Sequence, residues 1–181
     1  MAAITMTPAG IRADLAARLV GRTAAGSNVY DSRRIDYTGD ELPAITVTST
    51  GASESRFGTR SFLARRTERV TITGVVTGAD DLALAVAVDT MEASILDTLF
   101  GDPEWLAAWR LVAKCSVEKT LDIDSKTRVG GVAVSLDLDY DIEYAPIASP
   151  GDLATIRITT DTTDPAGADV SVRDIVITEV E

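Results

Sequence analysis

At 181 residues, 45% hydrophobic and 25% charged, the chain has the length and composition of one globular domain with room for an appendage, which excludes a disordered polyelectrolyte. A formal charge of −11 argues against general nucleic-acid binding, which needs Lys and Arg to neutralise phosphates. Zero histidines remove the commonest general base and metal ligand, and one cysteine excludes an internal disulfide and any zinc-ligand spacing.

The N-terminal MAAITMTPAG has neither a basic nor an apolar leader region, so no secretory signal is expected, and a reducing cytoplasm suits the lone Cys115. TPAGIRADLAARLVGR predicts a helix: Thr7 caps it, Pro8 fits its first position, Ile11, Leu15 and Leu19 repeat at i, i+4, i+8, and Gly21 lies near its stop. After NVYDSRRIDYTGDE, the run LPAITVTST alternates Ile45 and Val47 against Thr46 and Thr48 as a strand. GASESRFGTRSFLA shows no period and reads as a long loop, or a pair of extended arms with a mobile tip. RRTERVTITGVVTG is a second strand, with Val70, Ile72 and Val76 opposed to Thr71, Thr73 and Thr77.

DDLALAVAVDTMEASILDTLF predicts the longest helix, capped by Asp80 or Asp81, with Leu82, Val86, Ile95 and Leu99 on one stripe. Its run Leu82 to Val88 is the longest apolar stretch, far short of the ~20 residues that span a bilayer. GDP at 101–103 ends the helix, and EWLAAW is a short turn or helix whose Trp105 and Trp109 are expected as core or subunit-contact anchors. WRLVAKCSVEKTLDI is a third strand with Leu111, Ala113, Cys115 and Val117 facing together, and Cys115 is expected buried. DSKTRVGG turns the chain into VAVSLDLDYDIEYAP. Beyond the punctuation APIASPG, LATIRITT and VSVRDIVITEV predict a terminal hairpin that needs something to pack on. The fold class expected is α+β: a mixed, mainly antiparallel sheet packed against two helices, with a domain at 1–145 and a β-hairpin extension at 146–181.

Two charge features stand out. In VAVSLDLDYDIEYAP, Asp137, Asp139, Asp141 and Glu143 share one face of a strand, roughly 7 Å apart. A straight ladder brings few oxygens to one point, so a calcium- or magnesium-type site is one reading beside a solvated acidic face and an acidic assembly surface. Residues 51–70 carry five arginines, Arg56, Arg60, Arg65, Arg66 and Arg69, against Glu54 and Glu68. They read as a solvated loop, a phosphate-binding patch, or a docking loop for an acidic partner such as the ladder of the next subunit.

Taken in order, IRADLAARL, NVYDSRR, DELPAITVTSTGASES, RRTERVTITGVV, DDLALAVAVDTMEASIL, DPEW and VAVSLDLDYDIEYA resemble the tail terminator proteins of lambda-like tailed bacteriophages over roughly residues 9–145. The resemblance implies a virion protein of the viral tail: a non-enzymatic structural subunit without a cofactor that forms a hexameric ring at the head-proximal end of the tail. It implies as partners its own copies, the tail tube protein and a head-tail connector, with DNA only passing through the lumen and no membrane. Synthesis would be in the host cytoplasm. Arg56, Arg60, Arg65, Arg66, Asp137, Asp139, Asp141 and Glu143 are the expected interface residues, with no catalytic residue and no metal or other cofactor. Other readings are a different head-tail completion or tube ring protein, and an acidic metal-binding module using the ladder and DTTDPAGAD. The hairpin after Pro146 has no counterpart in the family pattern.

Overall fold

The computed structural model describes residues 6–32, 37, 39–56, 63–122 and 128–144, with the backbone alone of 153–160 and 173–179. The elements are α1 (Pro8–Leu19), β1 (Val29–Asp31), β2 (Ala44–Arg56), β3 (Leu63–Thr77), α2 (Asp81–Phe100), α3 (Pro103–Ala107), β4 (Leu111–Asp122), β5 (Val129–Glu143), β6 (Leu153–Thr160) and β7 (Arg173–Glu179). The fold is α+β. Five strands form a mixed sheet in the order β1-β2-β3-β5-β4, with β1 parallel to β2 and every other pair antiparallel.

Local chemistry starts α1 and α2 where the sequence predicts. Thr7 accepts from the amide of Gly10 at 3.1 Å, and Asp80 accepts from the amide of Ala83 at 2.7 Å, each satisfying a donor that the first helical turn leaves open. Gly21 follows α1 with φ +69°, a left-handed turn that suits glycine. Asp102 caps α3 through the amides of Glu104 and Trp105, at 3.0 and 3.1 Å. Its other oxygen accepts from Arg18 at 2.5 Å, and Arg18 also donates to Asp14 at 2.8 Å, so one guanidinium ties α1 to the start of α3.

All three helices share a core with one face of the sheet. Ile11, Leu15 and Leu19 of α1, Leu84, Val88, Met91, Ile95 and Leu99 of α2, and Trp105 of α3 close over Ile45, Val47, Val70, Ile72, Val134, Leu136 and Leu138. Full burial of each such side chain contributes about 1.5–3 kcal/mol, which makes this cluster the main source of stability. Gly74 and Gly130 let α2 sit close: a Cβ at either would lie 2.6 Å from Met91 or Val88. Trp105, Trp109 and Tyr140 stack edge-on in series with centroids 5.8 and 6.2 Å apart, which makes the two tryptophans core anchors.

Three expectations need correction. On α2 the buried stripe runs through Leu84, Val88, Met91, Ile95 and Leu99, whereas Leu82 and Val86 are 75% and 55% exposed. Val86 and Ile95 are nine residues apart, about two and a half helical turns, and so lie on opposite sides. On β4 a register shift between Val112 and Lys114 puts Leu111 opposite Asp139 but Cys115 opposite Leu136, so those two side chains face opposite ways. Cys115 is exposed, because β4 is the outermost strand and α2 packs mainly over β3 and β5. The segment GASESRFGTRSFLA takes the extended-arms alternative where it is described: Gly51–Arg56 pair with Ala64–Arg69 as the ends of β2 and β3. Residues 57–62, including Arg60, lie outside the described residues.

The chain divides into two compact units, Met1–Tyr144 and Ala145–Glu181. In the second, β6 and β7 pair antiparallel, with Ile156 opposite Ile177 and Ile158 opposite Ile175. The DTTDPAGAD segment lies outside the described residues. Among the described residues no helix is long and apolar enough to cross a membrane.

Candidate interface on the acidic strand

Strand register answers why the ladder's carboxylates tolerate one another. β5 runs antiparallel to β3, which sets Asp137 opposite Arg69, Asp139 opposite Thr67, and Asp141 opposite Arg65. Side chains directly opposite on one face are near neighbours, so each of these three aspartates faces a cationic or hydroxyl side chain across the strand. Arg69 donates through two nitrogens to the two oxygens of Asp137, at 2.7 and 2.8 Å. Thr67 donates its hydroxyl to Asp139 at 2.6 Å. Asp141 receives Arg110 at 3.1 Å and lies 3.9 Å from the Arg65 guanidinium. Glu143 ends the ladder, exposed and opposite Leu63.

The electrostatics follow from these partners. The hydrogen bonds from Arg69, and its charge, hold the Asp137 carboxyl below the ordinary aspartate value against a smaller effect of burial. Reciprocally, the bond to Asp137 raises Arg69 further above its already high value. Both groups stay ionised throughout the neutral range.

The ladder lies on the sheet face opposite the helices, because Leu136, Leu138 and Tyr140 alternate with it and fill the core. The same face carries Thr48, Thr71, Thr73 and Ser135, all partly exposed. Thr71 and Ser135 approach to 3.1 Å across β3 and β5. Near the β2 bulge between Ser49 and Gly51, a shallow depression of about 290 Å³ is lined by Thr50, Ser53, Thr67, Arg69 and Asp137.

Among the described residues, Arg56, Arg65 and Arg66 do not form one patch. Arg65 lies on the ladder face, whereas Arg66 lies on the helix face and donates to Glu68 at 3.0 Å. Glu68 is 2% exposed and also accepts from Ser49 at 2.8 Å. Arg56 ends β2, exposed and opposite Ala64. Near it, Tyr144 donates to Glu54 at 2.5 Å. The structure therefore joins Arg65 to Asp141 and leaves Arg56 and Arg66 on other ground.

Sequence reasoning missed Arg69, Thr67 and Arg110 as the ladder's partners, and the buried Arg66–Glu68 pair. The register was the signal: two antiparallel strands with alternating charge, RRTER and DLDYD, place opposite charges face to face when aligned. Among the described residues, no three acidic or cysteine side chains converge so as to hold a metal ion. The arrangement is a sheet face on which three of the four ladder acids have cationic or hydroxyl partners. No protein-family model matches the chain, and no curated protein matches it.

Proposed function

We propose that the chain is a structural assembly subunit of a phage tail: a terminator that forms a closed ring, most simply of six copies, ends growth of the tail tube and offers the surface that joins the head. The observation that carries this reading is the ladder face. Its carboxylates are matched in register by Arg69, Thr67 and Arg65 on a two-layer fold whose helices all lie on the other side. The element order, helix, strand, long two-stranded arm, helix, strand, strand, follows the segments that carry the resemblance to tail terminators.

The residual negative charge supplies a physical reason for placing such a face near DNA in transit. A cationic lumen would hold a duplex by its phosphates, whereas a face whose arginines are already committed to carboxylates offers it little purchase. Asp137 and Asp141 bind arginines of their own chain, so in this reading the ladder organises the subunit, and contacts between subunits fall to Arg56, Glu143 and neighbouring surface.

Electron microscopy of the purified protein tests the proposal. Discs with a central hole are expected; filaments that lengthen with concentration would instead assign a tube subunit. A metal-binding module is the second reading, favoured only by the number of acids on β5. Melting in millimolar calcium separates it, because a ligand bound to the native state raises the transition by mass action. No shift is expected.

A further inference from the structure

We infer that β4 is a self-pairing edge, through which two copies of the free chain join their sheets about a two-fold axis at Ser116. The edge is long and open. β4 has twelve residues and is the last strand of the five-stranded sheet, and among the described residues of Met1–Tyr144 no strand pairs with its outer side. The opposite edge, β1, has three. An exposed edge of that length is a template for another strand unless charge or a bulge guards it. The bulge lies near its first residues, between Val112 and Lys114. Lys119, which could guard the other end, is drawn back onto α2 by Asp89 and Glu92 at 2.7 and 2.5 Å. Leu111 and Leu121, 55% and 45% exposed, leave apolar surface on the same strand.

The occupant follows from the strand's own pattern. Past the bulge, Lys114, Ser116 and Glu118 lie on the ladder face, opposite Asp137, Ser135 and Ala133, while Cys115 and Val117 lie on the helix face, opposite Leu136 and Val134. A two-fold axis at Ser116 sets each copy's Lys114 against the other copy's Glu118, twice by symmetry. It also sets Cys115 against Val117 twice, and Ser116 against itself. Each residue meets one on its own face, opposite charges coincide, and small apolar groups coincide, which is what cross-strand pairs need. Neighbouring registers that preserve the faces do less well. An axis at Val117 matches Lys114 with Thr120 and Cys115 with Lys119. One at Glu118 sets Lys114 against Asp122 but places Glu118 on Glu118, like charge on like. The product is a continuous ten-stranded sheet, five strands from each copy, with Cys115 and Val117 of both copies lining a strip between the two α2 helices.

A two-fold contact closes after two copies. It is therefore distinct from the head-to-tail contacts of a ring, goes beyond the terminator reading, and stands or falls separately from it.

Cross-linking tests it. In a Cys115→Ser background, Ser116→Cys puts two thiols on the axis, with Cβ atoms about 4.5–5.5 Å apart, close to disulfide reach. Mild oxidation is expected to convert most of that protein to a covalent dimer, whereas Glu118→Cys in the same background, set opposite Lys114 and out of reach of its copy, stays monomeric under the same oxidation. Sedimentation supplies a second arm that does not depend on a new thiol: Lys114→Glu and Glu118→Lys should each weaken the dimer about tenfold, and the double exchange should restore it. Circular dichroism on each variant confirms the fold, and the four substituted positions are exposed or half-exposed on the edge strand. Preferential cross-linking of Glu118→Cys, or a monomer mass for the unmodified chain at every concentration, would overturn the proposal.

Discussion

Asp137 shows at the scale of one residue how the acidic face is held. Its carboxyl is kept below the ordinary aspartate value of 3.8, chiefly by hydrogen bonds from Arg69. A depressed carboxyl contributes stability that is present above its unfolded value and lost as pH falls through its folded value. The melting temperature should therefore drop on acidification below about pH 4, and Asp137→Asn should flatten that limb, as thermal melts across pH 2–6 would record. The buried pair behaves differently. Arg66→Ala strands the Glu68 carboxylate, which is 2% exposed, and should cost about 2–4 kcal/mol by urea denaturation, whereas Arg56→Ala at an exposed strand end should cost less than about 0.5 kcal/mol. Tyr140 offers a test with the opposite sign. Its hydroxyl is buried with no hydrogen-bond partner among the described residues, so Tyr140→Phe should leave the transition unchanged or raise it. Alternation alone placed Tyr140 in the core and Asp137 outside it. It could not name Arg69, because the partner of a strand residue is set by register across 68 positions of sequence, and period-two reasoning sees only one strand.

Among the elements, α2 separates what patterning can and cannot give. The caps at Thr7 and Asp80 are local chemistry and were legible as such. The buried face of α2 was not, because LALAVAV is apolar all round and offers two stripes, and only the packing of Val88 on Gly130 and Met91 on Gly74 selects one. Val88→Ala should accordingly cost about 1–3 kcal/mol in chemical denaturation, while Val86→Ala should fall within about 0.5 kcal/mol of the parent. A reversal of that order would move the stripe back to the one the sequence suggested. β4 misled for a related reason. Its Leu111, Cys115 and Val117 look like a core strand, but a bulge divides them between two faces and the helices stop short of the edge. Buried-looking composition on an outer strand is better read as surface awaiting another strand.

At the scale of the whole molecule, the two-layer architecture of the Met1–Tyr144 unit follows from a few strong signals: the described helices on one face of the sheet and an ionic and hydroxyl face on the other; the C-terminal hairpin forms a second unit. What assembles from it was not legible in that way, since ring closure depends on surfaces of several copies at once. The proposal rests on a charge-matched sheet face and on the sequence segments that resemble tail terminators. Native mass spectrometry of the purified chain over rising protein concentration tests the ring most directly. A closed particle of six copies is predicted, beside any two-copy species held through β4, with no growth of the ring beyond six; an open-ended ladder of masses, or a single copy with a bound ion or small molecule, would contradict the ring.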